Sequence, residues 1–310
     1  MSYWMKAAHG NSTRVAIFHL LGFSGSPLLE LLFFLCCLTA YTLTLVGNGL
    51  IVFLTLSSPA LQTPMYFFLR NLSFMELCYS SITMPRILTN YVTGNNKISF
   101  IGCAVQMYFF LLLGCAECYI LGVMAYDRYV AVCYPLRYMT IMDKYSCALL
   151  VVGSWMSGLP VSSVQTTLTF SSPFCGPNEI NHFFCDIPPV LRLVCADTSQ
   201  IEIAMLIITV IIIISPFMLI LISYARIIVA VVRMSSSESR QKAVSTCSSH
   251  LLVVTLFYGS AMTVYLFPQS NDKLLSIFYT MVTPMVNPII YSLRNKEVKA
   301  ALWKTVGLST

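Results

Sequence analysis

Seven apolar stretches, each long enough to cross a bilayer as a helix, lie near residues 28–56, 65–88, 101–126, 147–167, 201–232, 244–267 and 274–293. A spanning helix needs roughly 20 apolar residues, because hydrocarbon offers no partner to a backbone N–H or C=O. With 57% hydrophobic and only 10% charged residues among 310, a water-soluble fold would leave too much apolar surface exposed. Arg70, Glu76 and Glu117 interrupt the second and third stretches, which lowers their hydropathy without shortening them. The absence of an internal repeat and the odd number of spans argue against a transporter built from two equivalent halves. The chain 1–310 therefore reads as one domain of all-α membrane class, a seven-transmembrane helix bundle. Residues 1–27 form a tail before the first span, and 295–310 a tail after the last.

Basic residues give the expected orientation. Arg128 and the loops and ends on its side carry Arg137, Lys144, Arg226, Arg233, Arg240, Lys242, Arg294, Lys296, Lys299 and Lys304. On the other side, Glu179, Asp186, Asp197, Glu202 and Asp272 nearly balance the cations. The Arg128 side is thus expected to be cytoplasmic and the N-terminus extracellular. The net charge of +6 reflects this asymmetry and attraction to anionic lipid, and calls for no nucleic acid. Asn11-Ser12-Thr13 is a glycosylation sequon on the expected outer tail. After the last span, Glu297, Val298, Ala301 and Leu302 suit a short amphipathic helix on the membrane.

Of the twelve cysteines, Cys103, Cys175, Cys185 and Cys195 map to the oxidising face, and four cysteines permit three pairings. Topology favours Cys103 joined to one cysteine of the long 168–200 loop, pinning that loop over the bundle, with the other two closing a smaller loop. A metal reading of His182-x-x-Cys185 is the weaker one, since a bridged cysteine has no thiolate to donate. Asn48, Glu76, Glu117 and Asn287 stand at about mid-depth of four spans. Carboxylates there are costly, so these groups should face inward and bind one another through water, share a cation or carry protons. Glu117 lies eleven residues before Arg128, roughly 16 Å along a helix, too far to pair with it directly.

Motifs from end to end now make a resemblance specific. Leu61 to Leu69 (LQTPMYFFL), Met124 to Cys133 (MAYDRYVAVC), Ser223-Tyr224, Lys242 to His250 (KAVSTCSSH), Pro284 to Tyr291 (PMVNPIIY) and the loop run 174–189 (FCGPNEINHFFCDIPP) occur in order. The chain resembles the odorant, or olfactory, receptor family of rhodopsin-like (class A) G-protein-coupled receptors. Glu76 departs from the aspartate usual in that family, and Gln62 from its histidine.

The resemblance implies a receptor, not an enzyme, at the plasma membrane, and in sensory cilia where olfactory neurons express it. The expected partners are a small, volatile, mostly apolar odorant, membrane lipids and a stimulatory G protein of olfactory type that raises cyclic AMP. A metabolite or lipid receptor of the same class used outside the olfactory epithelium is the alternative. Met107, Phe110, Leu111, Gly114, Cys115, Ile208, Ile212, Tyr258, Met262, Tyr265, Ile277 and Thr280 would line the ligand site. Asp127, Arg128, Tyr129, Tyr224, Lys242, Asn287, Pro288 and Tyr291 would carry activation and coupling, with Pro216 and Pro288 supplying helix bends. Asn48, Glu76 and Glu117 would form a polar core open to sodium or a proton, with no other cofactor. The expected bridges are Cys103–Cys185 and Cys175–Cys195. Phe110 stands where related amine receptors carry an aspartate, so a cationic amine would lack its counter-ion. The lysine-free seventh span, Leu274 to Leu293, excludes a retinal Schiff base.

Overall fold

The computed structural model describes residues 15–22, 25–234, 236–266, 273, 276, 278–293 and 296–305. Long helices dominate it: α1 (Pro27–Ser57), α2 (Pro64–Thr93) and α3 (Phe100–Cys133), then a single turn α4 (Tyr138–Ile141) and α5 (Lys144–Phe170). After the short α6 (Ile187–Leu191) come α7 (Ser199–Val232), α8 (Ser237–Leu266), α9 (Thr283–Leu293) and α10 (Lys296–Thr305). A π-helical segment, Phe278–Val282, leads into α9.

The sequence dictates most helix ends. Pro27 and Pro64 stand in first turns, where the missing N–H costs nothing. The Ser99 hydroxyl accepts from Gly102 N–H at 3.0 Å, and the Asp143 carboxylate from Ser146 N–H at 2.8 Å. Gly94, at φ 62°, closes α2 in the left-handed conformation that glycine adopts without strain. Several helices outrun the apolar stretches, α3 to Cys133 and α2 to Thr93, because hydropathy marks the hydrocarbon depth and the helix continues past it.

Among the described residues, five helices are long and apolar enough to cross a membrane on hydropathy alone: Pro27–Ser57, Phe100–Cys133, Lys144–Phe170, Ser199–Val232 and Ala243–Val264. The second span, α2, carries Arg70, Glu76 and Arg86, yet packs between α1 and α3 as a full member of the bundle. α3 is the central helix, set against α2, α5, α7 and α8. Of its most apolar window 78% is buried, against 17% for α1, so α3 must supply both the core and the functional side chains.

Close approach depends on small residues, as expected where the solvent is itself apolar. A Cβ on Gly158 of α5 would stand 2.5 Å from the Leu112 carbonyl oxygen of α3. Gly122 of α3 receives Pro216 of α7, and Gly47 of α1 receives Pro288 of α9. Val298, Ala301 and Leu302 of α10 pack against Leu54, Leu61 and Tyr66, while Trp303 stays exposed.

Three short strands form a feature the sequence reading lacked. β1 (Ile17–Leu20), in the segment read as a plain tail, pairs antiparallel with β2 (Lys97–Ser99) and parallel with β3 (Glu179–Ile180). Phe18 opposes Ile98 and Leu20 opposes Ile180.

Candidate functional site

The Cys103 end of the bundle is closed by a lid. Cys103 of α3 is bonded to Cys185, and Cys175 to Cys195, with Cα separations of 5.5 and 5.8 Å. The other eight cysteines are free thiols. Phe18, fully buried, stacks on Phe100 and meets Phe174 edge-on. The Gln106 amide donates to the Ile82 carbonyl at 2.9 Å, and its oxygen accepts from Cys185 N–H at 3.0 Å, tying loop, α2 and α3 together. His182 Nδ1 lies 3.2 Å from the Phe184 carbonyl and Nε2 2.9 Å from the Ser276 hydroxyl. Burial pushes the His182 imidazole down to about 4, with the Lys273 charge acting in the same direction. Lys273 Nζ donates to the Gly22 carbonyl at 2.6 Å. With Cys185 bridged and His182 engaged, the metal reading of that pair has no support.

Beneath the lid, α3, α5, α7 and α8 line a cavity of about 70 Å³. Phe110, Leu111, Gly114, Cys115 and Cys118 line it from α3, and Ile212, Ile213, Phe257 and Ala261 from the facing helices. Tyr79, Val161 and Ile187 complete the apolar wall. Its polar element is the pair Gln165 and Thr209, where the amide donates to the hydroxyl at 3.1 Å. That geometry leaves the Thr209 O–H free to donate to a ligand.

Below the cavity lies a polar core. Asn287 donates from Nδ2 to Glu76 Oε1, and the Glu117 carboxyl lies beside that of Glu76. Asn48 Nδ2 donates to the Thr44 carbonyl at 3.1 Å and to the Pro284 carbonyl at 3.0 Å. Among the described residues, Asn48 Oδ1, Glu76 Oε2, Glu117 Oε1, Asn287 Oδ1 and the Tyr291 hydroxyl are buried without a partner.

At the Arg128 end, Arg128 Nε donates to Asp127 Oδ2 at 2.9 Å, and Nη2 donates to the same oxygen. The other carboxylate oxygen accepts from the Tyr138 hydroxyl at 2.7 Å. Burial and the Asp127 charge push the Tyr138 phenol up. The Tyr224 hydroxyl meets His250 Nδ1 at 2.8 Å, and His250 Nε2 donates to the Leu121 carbonyl at 3.2 Å. One turn higher, the Tyr258 hydroxyl donates to the Cys118 carbonyl at 2.8 Å. Thus α8 is tied to α3 at two levels, the upper one at the cavity wall.

A family model described as "Olfactory receptor" matches residues 35–307. Human olfactory receptor 10A7 is 53% identical over 301 residues, covering 96% of this chain and 95% of that one. Human olfactory receptor 10A4 is 55% identical over 302 residues, and human olfactory receptor 10C1 51% over 301, each covering 96% of both chains. The chain belongs to the olfactory receptor family. It is therefore a rhodopsin-like G-protein-coupled receptor, a multi-pass plasma membrane protein without enzymatic activity, of a family with odorant ligands and G-protein partners.

In this receptor Phe110, Leu111, Gly114, Cys115 and Ile212 meet around the cavity. Met107 does not join them: it packs into the lid cluster with Cys103, Phe18 and Cys185. Thr280 donates to the Ser276 carbonyl, Met262 packs on the α3 core, and Ile208 is half-buried on α7. Tyr258 stands on the α3 carbonyl rather than in the cavity wall. The Tyr129 hydroxyl donates to the Tyr134 hydroxyl at 3.4 Å. Asn11 and Ile277, and the side chains of Lys242 and Tyr265, lie outside the described residues. The sequence reading missed Gln165 and Thr209. Their signal was a lone amide in the fourth span and a hydroxyl set among the isoleucines in the first third of the fifth.

Proposed function

We propose that the receptor binds a small, mostly apolar odorant in the cavity beneath the lid and activates a stimulatory, olfactory-type G protein that raises cyclic AMP. The N-terminus and lid face outward, the Arg128 end faces the cytoplasm, and olfactory neurons would carry the receptor in their cilia. One observation carries the reading: cavity and Arg128 share a single helix. Cys118 lines the cavity while its carbonyl holds Tyr258 of α8, and Arg128 lies ten residues further along, roughly 15 Å. A ligand pressing on Phe257 or Cys118 acts beside the bond that fixes α8 to α3. Loosening that bond shifts the equilibrium toward α8 swung away from α3, which opens the surface around Arg128 to the partner.

The walls suit shape-tolerant apolar contact, and the Thr209 hydroxyl favours a ligand with one acceptor oxygen. The polar core is proposed to take a sodium ion or a proton. Four partnerless buried oxygens, on Asn48, Glu76, Glu117 and Asn287, supply hard oxygen donors of the kind a small cation needs.

The test is a panel of small odorants on cells expressing the receptor, the olfactory G protein and a cyclic-AMP reporter. An agonist should be found whose response vanishes in Arg128→Ala, with surface delivery kept, and whose potency falls about tenfold in Thr209→Val. Responses that persist in Arg128→Ala would sink the reading.

A further inference from the structure

A second cleft, of about 490 Å³, lies at the Arg128 end, between the start of α2, the turn α4 and the start of α5. Arg70 and Lys144 both line it, alongside Leu61, Phe67, Met139 and Ala148. Arg70 stands six residues into α2, roughly 9 Å from its first residue, at a depth where an uncompensated cation is costly. Its guanidinium lies 5.1 Å from the centre of the Phe67 ring. Among the described residues neither cation has a carboxylate partner; the ion pair there is Arg128 with Asp127. Asp143 also lines the cleft; its Oδ1 accepts from Ser146 N–H at 2.8 Å, and hydrogen bonds from Ser146 hold its carboxyl below the usual range, so it stays ionised at the edge next to Lys144.

We propose that this cleft binds the headgroup of an acidic phospholipid, its phosphate between Arg70 and Lys144 and its acyl chains on the adjoining apolar face. The surroundings favour a lipid over a soluble phosphate. Phe74, one turn beyond Arg70, is 50% exposed, and Met139 and Leu149 are 68% and 60% exposed, giving a track for acyl chains beside the two cations. Arginine and lysine at the headgroup boundary attract anionic lipid, and the aromatic ring under Arg70 orients its planar fork toward the phosphate. On the orientation proposed above the cleft opens to the cytoplasmic leaflet, where acidic lipids are concentrated; binding itself needs no orientation and no odorant.

The experiment uses full-length receptor in phosphatidylcholine nanodiscs, titrated with fluorescent phosphatidylserine. Arg70→Gln and Lys144→Gln should each weaken binding about fivefold, the effect of one cation at a membrane surface. Arg70→Lys, which keeps the charge and loses the fork, should weaken binding less than Arg70→Gln, and Arg137→Gln, outside the cleft, should leave it unchanged. Lys144 is exposed, so its substitution leaves the fold intact and guards against a misfolded Arg70 variant. Unchanged binding in the double variant overturns the proposal. So does displacement by soluble glycerophosphoserine at the lipid's own potency, which would make the site one for free phosphate.

Discussion

The two ends of this receptor are held by different kinds of bond. At the Cys103 end, two disulfides, a three-stranded sheet and a buried aromatic cluster join the N-terminal segment, the loop after α2 and the long loop after α5. At the Arg128 end, α3, α4, α7 and α8 meet through side-chain contacts that can exchange: Arg128 with Asp127, Tyr138 with Asp127, and Tyr224 with His250. A fixed end and an exchangeable end on one bundle confine motion to the second. On the proposed function, the lid would act as the reference against which a small change at the cavity is read out near Arg128.

Breaking the fixed end should therefore cost stability before it alters signalling. The Cys103–Cys185 bridge closes 82 residues, for which loop entropy predicts about 4.5 kcal/mol. Cys103→Ser is expected to collapse surface expression, measured by antibody to an N-terminal tag on intact cells. The Cys175–Cys195 bridge closes only 20 residues, or about 3 kcal/mol, so Cys175→Ser should reduce surface delivery without abolishing it. Equal losses in the two variants would contradict the idea that the long closure organises the lid.

Acid tests the same end without mutation. The His182 ring is held at about 4, below its ordinary value of 6.5. Above 6.5 neither the folded nor the unfolded lid binds the proton, and the full stability stands. Between 6.5 and about 4 the unfolded lid takes up a proton that the folded one rejects, so stability falls by about 3 kcal/mol. Thermal melting of purified receptor across this range should show the loss, and His182→Gln should flatten it.

The legibility of the sequence follows the same division. Seven spans, the Arg128 end and the mid-depth polar residues were readable because apolar length and buried charge are local signals. Helix α10 was equally plain from Val298, Ala301 and Leu302. β1 was not, since its partners Lys97–Ser99 and Glu179–Ile180 are remote in sequence and each strand is too short for an alternating pattern to stand out. Along α3, the choice between Met107 in the lid and Leu111 in the cavity depends on where the loop seats, which one helix's periodicity does not contain. Gly158 hid for the same reason: its value lies in the Leu112 carbonyl of another helix.

The exchangeable end offers the smallest and sharpest prediction. Tyr138 donates to Asp127 Oδ1, leaving Oδ2 to Arg128, so both oxygens of the carboxylate are occupied when Arg128 is held. Tyr138→Phe removes one hydrogen bond to a charged acceptor, worth about 1.5 kcal/mol, while keeping the ring in place. If that bond helps hold Arg128 in its resting arrangement, basal cyclic AMP should rise up to about tenfold per receptor at the surface, with odorant potency shifted in the same sense. A Tyr138→Phe receptor as quiet as the parent would mean that Asp127 alone restrains Arg128, and that the exchangeable end is simpler than its hydrogen bonds suggest.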